Sequence, residues 1–202
     1  MKELTGALIN NFYMMNTRLT RLYLLAIPAL IALYIATGNP SFGGLIPLAV
    51  VLVLPSASLE NACTPFSTRW TAFENSWGLA PHFMVISRYI LYVLVTAVGV
   101  ALWVVLPFEF YSDLFTLTHF IIVAQFMCIA YYPIMYLLNP KQESLGIITL
   151  FGSMFLSIAL TLGMDRLAGD NYFLMVAVVA VLYVVSAVLS IGFNAMHRGR
   201  VA

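Results

Sequence analysis

Six apolar runs divide the chain, each close to the length that crosses a lipid hydrocarbon layer. They are Leu22–Thr37, Gly43–Leu59, Tyr89–Pro107, Thr118–Leu138, Leu145–Gly163 and Tyr172–Asn194. A spanning helix needs about 20 residues, with about 17 tolerated where flanking residues snorkel or the bilayer thins. Only 8% of the 202 residues are charged, against about 25% in an ordinary soluble domain. So few charges cannot cover a soluble globule of this size, and a bilayer must solvate much of the chain. The sequence therefore predicts an all-α integral membrane fold with six transmembrane helices, one domain spanning 1–202. Pro28, Pro47, Pro55 and Pro133 fall inside runs and are expected to kink them.

The basic residues orient these spans. Lys2, Arg18, Arg21, Arg69, Arg88, Lys141, Arg198 and Arg200 fall in the termini and in every second loop, whereas the alternate loops hold only Arg166. Eight against one places both termini in the cytoplasm. The loop with Glu109 and Asp113 then lies outside. With a net charge of +1, nothing points to a nucleic-acid partner.

Ahead of the first run, Leu4, Leu8, Phe12, Met15, Leu19 and Leu22 recur at steps of three and four, which is one stripe of a helix. The reading is an amphipathic helix over 1–21 lying on the inner membrane surface. A cleavable signal peptide is the rival, and the 21-residue leader matches its basic n-region poorly.

Chemistry is sparse. Ionisable groups sit at span ends or in loops, which argues against a proton- or sodium-coupled pump. His82, His119 and His197 fall on different sides of the bilayer and cannot share a metal. Cys63 and Cys128 have no metal-ligand spacing. No hydrolase, zinc-protease or phosphate-binding signature occurs, so no cofactor is expected. The glycine-rich GNPSFGG segment reads as a tight turn between spans. Ser153, Ser157 and Thr161 line one face of the fifth span at steps of four, where they either pack helices closely or line a pathway. Gln125 in the fourth span must face protein or a polar path, because an unpaired amide in lipid is costly.

The loop over 60–88 is different. Phe66, Trp70, Phe73 and Trp77 recur at steps of four, three and four, placing four aromatics on one helical face with Arg69 and Glu74 partly off it. Thr64–Pro65 is a start signal, Gly78 a stop, and Pro81 breaks the chain before the third span. Such a helix either floats on lipid or docks on a partner.

Residues in this loop resemble the short six-span permeases of the ABC-2 transporter family. A cytoplasmic segment after the second span in those proteins approximates D-x-x-x-x-W-x-x-[FY]-x-x-S-L-P-x-S-R-K, followed by [SA]-[KR]-Y at the third span. Trp70, Phe73 and Ser76 match without a gap, and Ser87, Arg88 and Tyr89 fall in register. Gly78 stands where proline is usual, Pro81–His82 replace a basic pair, and Pro65 takes the acidic position. The resemblance implies an ABC exporter subunit in the cell membrane. It would work as a dimer of permease chains with a separate ATPase subunit that performs the hydrolysis. The loop would be its coupling helix, with Phe66, Arg69, Trp70, Phe73, Glu74 and Trp77 as the ATPase-facing surface. A non-transporting accessory or immunity protein, and a membrane enzyme using Asp113 and His119, remain the alternatives.

Overall fold

The computed structural model describes residues 2–14, 18–39, 80–105, 114–138, 143–168 and 171–198. The second apolar run and residues 60–79 lie outside them, as do Glu109, Asp113 and Lys141. The described residues form six helices and no strand: α1 Lys2–Met14, α2 Arg18–Thr37, α3 Pro81–Val105, α4 Leu114–Leu138, α5 Glu143–Ala168 and α6 Tyr172–Arg198.

Local chemistry sets several of these ends. Gly38 follows α2 with a φ of 60°, a left-handed conformation that suits glycine. Its amide returns to the Tyr34 carbonyl at 2.9 Å, closing the last turn. Asn171 caps α6, its side-chain oxygen accepting the Leu174 amide at 3.1 Å. Pro81 does not break the chain ahead of the third span, as the sequence suggested. It opens α3, eight residues before Tyr89, because the first residue of a helix needs no amide hydrogen and favours the φ that proline fixes.

Among the described residues, three stretches are long and apolar enough to cross a membrane: His82–Ala101 in α3, Thr118–Leu138 in α4 and Phe173–Met196 in α6. Shorter apolar stretches run over Leu25–Thr37 in α2 and Ile148–Met164 in α5. Large apolar side chains cover the outside of the helices, among them Phe151, Phe155, Phe173, Val181, Val184 and Val188. Water would not tolerate such a surface, whereas acyl chains would. The described part of the chain is thus all-helical and of membrane type.

The core lies where α3, α4 and α6 meet. Val85, Tyr89 and Tyr92 of α3 pack with Met127, Cys128, Tyr131, Tyr132, Met135 and Tyr136 of α4, and Tyr183, Ala187 and Ile191 of α6 close over them. A second cluster joins Ile122 and Phe126 to Met175. The pairings give the helix directions. Tyr89 stacks on Tyr132 while Thr96 meets Gln125, so α3 and α4 are antiparallel. Phe126 packs on Met175 and Ile129 meets Ser186, so α4 and α6 run parallel. α5 packs mainly on α4, and α1 packs on α3.

α1 is a docked element. Ala7 and Asn11 are buried, Leu4 and Leu8 are half-buried, and Ile9 on the far side is exposed. This buried strip shares Leu4 and Leu8 with the stripe read from the sequence. It covers another helix of the same chain, where the sequence suggested the membrane surface.

Candidate functional site

Three consecutive residues in the second and third turns of α3 each reach a different helix. Ser87 Oγ accepts the Asn11 side-chain amide of α1 at 2.5 Å and donates to the Met84 carbonyl at 2.9 Å. Arg88 Nη1 donates to the Tyr136 phenol of α4 at 2.5 Å, with the guanidinium lying 5.6 Å from that ring's centre. Tyr89 Oη lies 2.6 Å from Ser186 Oγ and 2.8 Å from Ser190 Oγ of α6. All three residues are buried, as helical residues about 100° apart can be only when other helices surround them.

The hydrogen bonds have a direction. Ser186 has a single hydroxyl hydrogen, which it donates to the Ile129 carbonyl of α4 at 2.8 Å. Tyr89 must therefore be the donor to Ser186, and Ser190 the donor to Tyr89. A second chain crosses the same three helices: the Cys128 thiol donates to Tyr183 Oη at 3.5 Å, and Tyr183 donates to the Tyr89 carbonyl at 2.8 Å. Deeper in α3, Tyr92 Oη donates to the Ala124 carbonyl at 2.5 Å. Every pair among α3, α4 and α6 is cross-linked by polar groups within otherwise apolar surroundings. Each such bond is worth on the order of 1 kcal/mol between membrane helices. Edge-to-face packing of Tyr89 on Tyr183, with centroids 5.1 Å apart, fills the space between them.

The carbonyl that Ser186 reaches has a special origin. In an α-helix the Ile129 carbonyl would accept the amide of the residue four positions on, which is Pro133 and has no hydrogen. The Ser186 hydroxyl takes that place.

Gln125 is half-buried and donates to Thr96 Oγ1 of α3 at 3.4 Å, a long bond between helices. Ser153, Ser157 and Thr161 are buried on α5. Their hydroxyls turn back onto their own helix, donating to the carbonyls of Leu150, Met154 and Ser157 at 2.7–2.8 Å. An apolar groove of about 330 Å³ runs between α3 and α6, lined by Ile86, Tyr89, Ile90, Val93, Leu94, Tyr183 and Ala187.

His82 is exposed near the start of α3 and His119 is half-buried near the start of α4. Among the described residues, no group of three histidine, cysteine, aspartate or glutamate side chains could hold a metal. Phe66, Arg69, Trp70, Phe73, Glu74 and Trp77 lie outside the described residues, and so does Cys63.

The tyrosine–serine seam does not follow from the motif reading. Its signal was present all the same: Ser186 and Ser190 stand four apart in the sixth run, the spacing that drew attention to the fifth. No family model matches the chain, and no curated protein or solved structure is significantly similar to it.

Proposed function

We propose that this chain is the membrane subunit of an ABC exporter, moving an amphiphilic substrate such as a peptide, a lipid or a drug-like molecule. A second permease chain completes the pathway, and separate ATPase subunits supply the energy. The observation that carries this reading is the placement of Ser87, Arg88 and Tyr89. These residues end the permease-like motif, and they grip α1, α4 and α6 respectively. A displacement of the loop before α3 would pass through three adjacent residues into three helices. A helix that transmits the closure of an ATPase dimer needs such a rigid, packed connection.

The aromatic face of Phe66, Trp70, Phe73 and Trp77 would fill a pocket on the ATPase, with Arg69 and Glu74 at the rim. Interface anchors are enriched in such side chains. The test is reconstitution in lipid nanodiscs with candidate ATPase subunits. The double variant Trp70→Ala, Phe73→Ala should lose ATPase binding by at least about tenfold, the scale of an interface hot spot. Binding and stimulated hydrolysis equal to wild type in that variant would refute the assignment.

A further inference from the structure

We propose that Pro133 makes α4 a hinged helix, and that the Ser186 hydroxyl on the Ile129 carbonyl is the lock that holds the hinge closed. Proline removes one ladder bond and crowds the preceding turn, so a helix is most easily bent there. In lipid the freed carbonyl has no water to turn to, and a hydroxyl from a neighbouring helix is the natural substitute. Ser186 supplies it at 2.8 Å.

Two features make this contact a lock. First, Ser186 is 3% exposed and sits at the end of the directed chain Ser190 to Tyr89 to Ser186 to Ile129. Each bond in such a chain strengthens the next donor, so the grip on α4 depends on α3 and α6 staying together. Secondly, α3 holds α4 on both sides of the proline. Tyr92 is bonded to Ala124 before it, and Arg88 to Tyr136 after it. A hinge tied on both arms and at its centre stays closed until one tie opens. The central tie is the one that compensates for the missing amide. If α6 moves away from α4, the Ile129 carbonyl is left unpaired and the short arm after Pro133 is held by the Arg88–Tyr136 tie alone.

On α5, by contrast, the Ser153, Ser157 and Thr161 hydroxyls bond to their own helix. The proposed hinge lies at the three-helix seam.

The proposal rests on the contacts alone and not on the exporter reading. Its test needs no ATPase, so either can fail without the other. Spin labels at Leu138, beyond the hinge, and at Val184 on α6 report the position of the short arm; both residues are exposed. In nanodiscs, Ser186→Ala should broaden or shift the distance distribution and lower the thermal midpoint. Ser186→Thr, which keeps the hydroxyl, should do neither. Pro133→Ala returns an amide to the Ile129 carbonyl, so the double variant Pro133→Ala, Ser186→Ala should recover the narrow distribution. If Ser186→Ala alone cannot be isolated but the double variant can, the same rescue is read from yield. A wild-type distribution in Ser186→Ala would overturn the proposal. So would a defect of equal size with and without Pro133, since the hydroxyl would then serve something other than the freed carbonyl.

Discussion

Arg88 and Tyr136 join α3 to α4 through both faces of their chemistry: a guanidinium nitrogen donates to the phenol oxygen at 2.5 Å, and the guanidinium lies 5.6 Å from the same ring. Arg88 is 6% exposed, so the phenol replaces part of the water that a guanidinium would otherwise hold. Being planar and weakly hydrated, arginine can use both contacts, whereas lysine cannot match them.

Tyr136→Phe keeps the ring and removes the acceptor. It should destabilise the chain by about 1–3 kcal/mol, the scale of losing a hydrogen bond to a charged group. Tyr136→Leu removes the ring face as well and should cost more. Denaturant titration in one detergent ranks the variants. A Tyr136→Leu variant as stable as wild type would remove the pair from the account of how α3 and α4 hold together.

The Asn11–Ser87 bond makes a separate prediction about the N-terminal helix. Both partners are buried, and Ala7 beside them is fully covered, so the contact fixes where α1 sits along α3. Asn11→Ala should raise hydrogen exchange across Lys2–Met14 while leaving α4 and α6 protected. A double-mutant cycle with Ser87→Ala should return a coupling of about 0.5–3 kcal/mol, as for residues in direct contact. If α1 were instead a lipid anchor alone, the two substitutions would add.

How much of this was legible in the sequence depends on which force decides each feature. Run length and apolarity gave α3, α4 and α6 as helices able to cross a membrane, because lipid leaves the backbone no alternative there. The stripe containing Leu4 and Leu8 announced α1, but not its docking, since a stripe says nothing of what covers it. Pro81 suggests a break because proline is a strong breaker inside a helix. At the first position it costs nothing, and α3 gained two turns. The seam stayed hidden for a different reason. Tyr89, Tyr183, Ser186 and Ile129 come together only through tertiary packing, and no local spacing encodes a contact between residues 57–97 apart.

Topology can be tested without any partner. Cys63 and Cys128 are replaced by serine, which at position 128 keeps a donor towards Tyr183. Cysteines at Pro40, Tyr111 and Ala168 should then react with an impermeant reagent added outside. A cysteine at Gln142 should react only after the membrane is opened. The motive is the bias of eight basic residues against one, which predicts both termini inside. Labelling of position 142 from outside would invert the scheme.

The serine face of α5 separates packing from a pathway. Ser157 is fully buried and its hydroxyl donates to the Met154 carbonyl of its own helix at 2.7 Å. Removing that hydroxyl strands no partner, because the carbonyl keeps its backbone donor. Ser157→Ala should therefore cost no more than about 0.5 kcal/mol, the low end for a bond between neutral groups. Ser157→Leu adds volume where α5 is covered by its neighbours and should cost about 1–3 kcal/mol through overpacking. A cysteine at the same position should resist a small charged thiol reagent, since Ser157 is fully buried. Rapid labelling of that cysteine, with Ser157→Leu as stable as wild type, would mean that the face borders an aqueous path and that small residues stand there to keep it open.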